Sequence, residues 1–252
     1  MSLTKAKGNM YEWCSHTHSY LRGKCPHGCT YCYVQAMCAR FPNMRKRYSG
    51  PVEFDREQLK VHYDTPATRS YAKERGLDRP TVFIEHLSDL FAETAVSDID
   101  LETLIRRCNA FENVTFVFQT KNPQRVMRFQ WLFKRPTMLG TTVESDFVPA
   151  SIYDAAHAPP HTSERLRMIE IAKVIGRFKT FITVEPIMRM NSPELFARAI
   201  AQSFPSFVNV GADSKGKGLI EPTREELIRF LDELDRAGVT VKRKSNLERL
   251  MK

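Results

Sequence analysis

Polar and apolar positions change rhythm along this chain of 252 residues. Short apolar runs rich in β-branched and aromatic residues recur at 81–87, 114–119, 138–143, 180–184, 207–210 and 239–241. Between them, segments at 98–108, 123–133, 163–175, 193–203 and 223–237 return apolar side chains every three or four positions. The first pattern reads as strands, the second as helices. Start signals agree: Asn122-Pro123, Ser163 with Glu164, Ser192-Pro193, and Thr223 with Glu226 as a capping box. Ahead of this rhythm, residues 10–18 alternate as a strand, with Cys14, His16 and His18 on one face. Residues 51–75 read as largely helical, closed by Gly76. Strand–helix alternation predicts a parallel sheet of about seven β/α units. The expected fold is α/β, a partial or nearly complete (β/α) barrel in a single domain over 1–252. The barrel spans 10–244, and 245–252 forms a short C-terminal helix. Residues 155–161 read as an exposed loop, not a linker.

The strand ends carry polar residues: Glu85-His86-Leu87-Ser88-Asp89, Gln119-Thr120-Lys121, Glu144-Ser145, Glu185-Pro186, Asn209 with Gly211-Ala212-Asp213, and Lys242 with Lys244. In a parallel barrel these carboxyl ends meet on one rim, where active sites are built. The loop after the first strand opens on the same rim. It reads Cys25-Pro26-His27-Gly28-Cys29-Thr30-Tyr31-Cys32-Tyr33. Cys25, Cys29 and Cys32 can wrap one metal centre, and three thiolates leave one coordination position open for chemistry. Cys14 is a candidate hydrogen donor, and His16, His18, Asn209, Lys242 and Lys244 are candidates to meet substrate. Cys38 and Cys108 read as core thiols.

Composition narrows the setting. No apolar run approaches the ~20 residues of a membrane span, and the start shows no signal-peptide stretch, so no membrane role and a cytoplasmic location are expected. Six cysteines then point to reduced thiols and metal rather than disulfides. The net charge of +9 is uneven. Residues 1–50 hold eight Lys and Arg against Glu12 alone, and residues 239–252 hold five against Glu248 alone. Clustered cations of this kind attract phosphate backbones. Tyr11, Trp13, Tyr20, Tyr31 and Phe41 lie among the basic residues and are candidates to stack on bases.

The cysteine spacing, with an aromatic residue after the last, resembles the cluster motif of radical S-adenosylmethionine (radical SAM) enzymes. Leu87-Ser88-Asp89-Leu90-Phe91, Phe118-Gln119-Thr120-Lys121-Asn122-Pro123, Thr142-Val143-Glu144, Val184-Glu185-Pro186 and Val210-Gly211-Ala212-Asp213-Ser214 extend the likeness. It is to a branch of phages and bacteria similar to spore photoproduct lyase. The resemblance implies a 4Fe–4S cluster on Cys25, Cys29 and Cys32, with S-adenosylmethionine on its unique iron. Tyr33 would lie against the adenine, Ser88 and Asp89 at the amino group, and Thr120 and Lys121 at the carboxylate. Glu144 and Glu185 would reach the ribose or sulfonium side. The usual Gly-Gly-Glu stretch is replaced here by Leu87-Ser88-Asp89. Reductive cleavage of S-adenosylmethionine would give a 5′-deoxyadenosyl radical that abstracts a substrate hydrogen. The resemblance further implies an electron donor such as flavodoxin or ferredoxin, and a nucleic-acid substrate. A hypermodified thymine in phage DNA, with the enzyme in the host cytoplasm, and a DNA lesion are the two forms of that substrate.

Two other readings stand beside it. One is a radical SAM enzyme acting on a small metabolite or a peptide. The other is a non-catalytic, zinc-stabilised nucleic-acid-binding module, in which Cys14, His16 or His27 joins the three cysteines.

Overall fold

The computed structural model describes residues 3–7, 10–134, 137–214 and 216–252. β1 (Thr4–Lys5) pairs antiparallel with β2 (His16–His18). From β2 the sheet continues in parallel through β5 (Thr81–Ile84), β6 (Thr115–Thr120), β7 (Thr137–Thr142), β8 (Phe178–Val184), β9 (Val208–Val210) and β10 (Val241–Arg243). Seven parallel strands in sequential order, with β1 and β10 as the two edges, make a partial barrel open on one side. The apolar runs thus become strands within a few residues of where the pattern placed them.

Five helices follow the strands as expected: α4 (Asp98–Asn109), α5 (Pro123–Arg128), α6 (Thr162–Ile175), α7 (Pro193–Gln202) and α8 (Arg224–Arg236). α8 opens with the Thr223–Glu226 capping box. α6 begins one residue early because His161, not Ser163, is its cap, with Glu164 closing the box. Outward strand residues such as Ile84, Phe118, Leu139 and Ile182 pack on Leu104, Leu166, Phe196 and Phe230 of the helices. Each such side chain, fully buried, is worth about 1.5–3 kcal/mol.

The loop after β2 is a long excursion. It holds the cysteines, α1 (Tyr33–Arg40), α2 (Pro42–Tyr48) and a ribbon of β3 (Leu21–Arg22) with β4 (Glu53–Phe54). α3 (Pro66–Glu74) then returns the chain to β5, so 51–75 is helical only in its second half apart from a turn at Arg56–Lys60. The expected C-terminal helix is a single 3-10 stretch, Ser245–Leu250.

Residues 10–14 are not a strand, and this is the main departure from the sequence reading. Met10, Tyr11 and Trp13 enter the open side of the barrel and pack on inward-facing Phe83, Val117, Met138, Phe181 and Phe207. The Tyr11 and Trp13 rings stack at 4.8 Å, and Trp13 meets Phe181 and Phe207 edge-on at 5.2 and 5.3 Å. A Cβ on Gly140 would lie 2.2 Å from the Phe181 ring, so glycine makes room for this plug. The lower half of the barrel is therefore solid core.

Candidate active site on the barrel rim

A polar layer lies above that core. The Tyr11 hydroxyl donates to Gln119 Oε1 at 3.1 Å and lies 3.0 Å from Thr183 Oγ1. Gln119 Nε2 donates to Thr142 Oγ1 at 2.8 Å, and Asn209 Nδ2 donates to Thr183 Oγ1 at 3.2 Å. These inward-facing groups satisfy one another and floor the upper cavity. Asn209 belongs to this floor. Lys242, on β10, stands 4.4 Å over the Phe207 ring at the same depth, whereas Lys244 is higher, on the rim.

The rim is closed by two clasps. In the first, Asp89, 6% exposed, accepts from Thr120 Oγ1 at 2.8 Å, Lys121 N at 2.8 Å, Phe91 N at 2.9 Å and His27 Nε2 at 3.1 Å. Burial alone would raise its pKa, but these donors hold it below the ordinary carboxylate range. Asp89 thereby ties the cysteine loop to the ends of β5 and β6. In the second clasp Glu144, fully buried, accepts from Lys121 Nζ, the Tyr31 hydroxyl and Arg165 at 3.1 Å. Burial opposes its charge, yet Lys121 and Arg165 outweigh it and hold the carboxyl at about 2. Lys121 Nζ stands 5.2 Å from the Tyr31 ring, between Cys29 and Cys32 in sequence.

The loop after β7 makes a third attachment. Thr30 N donates to Ile152 O at 2.9 Å, Asp154 N to His27 O at 2.9 Å, and His27 Nδ1 lies 2.9 Å from His157 O. Gly28 has φ +56°, and a Cβ there would fall 2.9 Å from Asp154. Residues 155–161 are the mostly exposed loop expected, yet its His157, with Ile152 and Asp154 just before it, braces the cysteines. Such a brace leaves no sequence signal, because the partners are far apart in the chain and mostly backbone groups.

Glu185 and Lys244 pair at 2.9 Å across the ends of β8 and β10. Gly211, at the end of β9 between them, passes so close that a Cβ would lie 3.0 Å from the Glu185 carboxyl carbon. Tyr33 donates to His86 O at 2.5 Å, which joins the start of α1 to the end of β5. Glu85, with φ 60°, accepts from Tyr20 N and Leu21 N through Oε2 at 2.7 and 2.8 Å. Burial lifts its pKa to about 7. Its other oxygen, His86 Nδ1 and Ser88 Oγ are buried and make no hydrogen bond among the described residues. Three orphaned polar atoms on one stretch, of which Ser88 Oγ lies beside Cys25, are where a polar ligand or ordered water belongs.

Cys14, just before β2, and His16 and His18 within it lie elsewhere. Cys14 donates to His16 O at 3.0 Å, close to Thr81 O at the amino end of β5. That is four residues, roughly 13 Å, below Glu85. His16 packs edge-on to Tyr71 of α3, and His18 bonds Tyr63 at 2.6 Å and Gln58 at 3.1 Å, both on the helix side of the sheet. In β2 it is Thr17 that takes the opposite face. None of the three reaches the rim, so Cys14 is misplaced as a hydrogen donor and the two histidines as substrate contacts. The zinc reading loses its fourth ligand for the same reason: Cys14 and His16 are remote, and both His27 nitrogens are engaged. Cys108 is core as expected, but Cys38 is only half-buried.

Burial pushes Cys25 up to about 12 and Cys29 to about 11, so both thiols stay protonated in neutral water and would release their protons only on binding a cationic centre. Among the described residues no three His, Cys, Asp or Glu side chains converge on one ion. Thiols that each ligate a different iron of one cluster stand farther apart than those sharing a single ion.

The family described as "Protein of unknown function (DUF5131)" matches residues 9–203. The chain belongs to this family. The matched span runs from the barrel plug through α7 and takes in the cysteine loop and both clasps. No curated protein matches the sequence. Among solved structures, a mutant of spore photoproduct lyase superposes with a TM-score of 0.63 at 14% identity, over 97% of this chain and 80% of that one. Another mutant, with bound AdoMet and dinucleoside spore photoproduct, gives 0.55 at 14% identity, over 92% of this chain. This chain spans 64% of the length of that protein. A complex of the lyase with dinucleoside spore photoproduct gives 0.55 at 15% identity. The radical SAM resemblance read from the sequence thus holds for the fold of the DUF5131 chain. Among the described residues no helix is long and apolar enough to cross a membrane.

Proposed function

We propose that this protein is a radical SAM enzyme acting on a nucleic-acid base. One observation carries the reading: a three-cysteine loop is braced over the carboxyl rim of a plugged partial barrel, beside orphaned Glu85 Oε1, His86 Nδ1 and Ser88 Oγ. Cys25, Cys29 and Cys32 would hold a 4Fe–4S cluster, and the orphaned atoms and Tyr33 would face S-adenosylmethionine. When bound, the two supply reductive cleavage of the sulfonium carbon–sulfur bond and a 5′-deoxyadenosyl radical that takes a hydrogen from substrate.

The chain's own residues orient and exclude. Asp89 and Glu144 are spent on the clasps, so their part is to fix the cysteine loop and aim Lys121 rather than to contact the cofactor. Ser88, Thr120 and Lys121 line the rim beside the loop, and Glu185 with Lys244 forms the far wall. The plug of Tyr11 and Trp13 closes the barrel from below, which keeps water and stray hydrogen donors away from a reactive intermediate. Similarity to a protein whose structures hold a dinucleoside photoproduct favours a nucleic-acid substrate, either a DNA lesion or a hypermodified thymine. A small-redox-protein electron donor and a cytoplasmic setting accompany this chemistry.

The test is metal and spectroscopy. After anaerobic isolation, about four irons and four sulfides per chain are expected, with a reduced-state electron paramagnetic resonance spectrum that changes on adding S-adenosylmethionine. Replacing all three loop cysteines by alanine removes both. Zinc without iron or sulfide would contradict the proposal.

A further inference from the structure

Residues 13–52 contain no Asp or Glu but carry Arg22, Lys24, Arg40, Arg45, Lys46 and Arg47. The fold brings the last four onto α1 and α2, a helical corner rising from the cysteine loop. Gly23 N donates to Arg47 O at 2.8 Å and Lys24 N to Gly50 O at 3.0 Å, so the corner is laced to β3. Arg45 turns its guanidinium back onto Cys38 O and Ala39 O at 3.1 and 3.0 Å, which fixes the angle between the helices. Arg47 points inward, to Ser19 O at 3.4 Å. Arg40 and Lys46 are left exposed, and neither makes an ion pair among the described residues. Between them Phe41 is 44% exposed, with the Arg40 guanidinium 5.1 Å from its ring centre. The other four aromatics expected to stack on bases are taken up elsewhere. Tyr11 and Trp13 plug the barrel, Tyr20 is fully buried, and Tyr31 bonds Glu144.

An aromatic ring held out to solvent between two unpaired cations, on a corner whose own segment carries no acid, matches phosphates flanking an accessible base. Its position adds to the match. Cys32 caps α1, and the corner stands at the far end of that eight-residue helix, about 12 Å from the last cysteine. DNA seated there lies beside the rim that its reacting base must enter. We propose that the α1–α2 corner is the DNA-docking surface. Arg40 and Lys46 contact phosphates, and Phe41 stacks on a base next to an unpaired or extruded nucleotide. This rests on the nucleic-acid reading above and assigns it a surface.

The test is fluorescence anisotropy of the reconstituted protein with a labelled duplex of about 20 base pairs, fully paired or with one unpaired thymine, from about 50 to about 200 mM salt. Arg40→Ala with Lys46→Ala should flatten the slope of log affinity against log salt by about 2, one unit per phosphate contact. Removing exposed Arg167 and Lys173 of α6 in the same way should leave the slope unchanged. Phe41→Ala should lower the preference for the unpaired-thymine duplex by at least about five-fold with the slope intact. All these positions are exposed, and each variant should keep the wild-type circular dichroism spectrum, which checks that it is folded. A wild-type slope in the Arg40/Lys46 variant, with wild-type protein binding DNA, overturns the docking surface and leaves the nucleic-acid reading standing. Absence of salt-dependent binding by the wild-type protein to either duplex overturns both.

Discussion

Replacing Glu144 by glutamine keeps the side chain's shape and removes one buried charge. Lys121 and Arg165 would then face a neutral amide, with side-chain exposures of only 13% and 1%. Leaving such cations uncompensated costs about 3–5 kcal/mol. The carboxyl itself gives a second measure. It is held at about 2 against an ordinary 4.5, a difference worth about 3 kcal/mol. Both figures are a large fraction of the roughly 5–15 kcal/mol that holds a domain folded. The contribution of a depressed carboxylate is fully present above its unfolded pKa near 4.5 and is lost as pH falls toward about 2. Urea unfolding of the cluster-free protein, followed by the fluorescence of half-buried Trp13, should therefore show Glu144→Gln less stable by about 3 kcal/mol at pH 7. The gap should narrow between about pH 4.5 and pH 3. A gap below about 1 kcal/mol, the scale of an exposed ion pair, or one that stays constant as the pH falls, would refute the clasp.

Asp89→Asn should set an amide donor against N–H groups and cost about 3 kcal/mol; it should also lower iron and sulfide content after reconstitution, since His27 loses its anchor. Glu85 behaves oppositely to Glu144. Its raised pKa means that its stabilising contribution is present below about 4.5 and lost as pH rises through about 7. Glu85→Gln, whose carbonyl can accept both backbone N–H groups, should remove that fall and exceed wild-type stability at pH 8 by up to about 3 kcal/mol in urea unfolding. Gly140→Ala should drive a methyl into Phe181 and cost about 1–3 kcal/mol, seen as a fall in melting temperature of several degrees; an unchanged melting temperature would mean that the barrel plug is loose.

The strands of the barrel were legible because parallel strands covered by helices show as largely apolar runs, as at 114–119 and 180–184. The cysteine loop was legible because its signal is local. Residues 10–14 were misread for a physical reason: alternating Tyr11 and Trp13 mimic a strand, but their rings fill a cavity that only the curved sheet creates. The directions of the rim residues were equally hidden. Sequence shows that Asp89 and Glu144 end strands, but not that His27 and Arg165, 62 and 21 positions away, consume their oxygens. The same holds for the brace at 152–157, which works through backbone carbonyls that carry no signature.

The central claim is tested most directly by 5′-deoxyadenosine. Reconstituted protein, reduced anaerobically and given S-adenosylmethionine, should form it, and more of it when DNA is added. The variant lacking Cys25, Cys29 and Cys32 should form none. If protein with a verified intact cluster produces no 5′-deoxyadenosine, with or without DNA, the radical SAM account is contradicted.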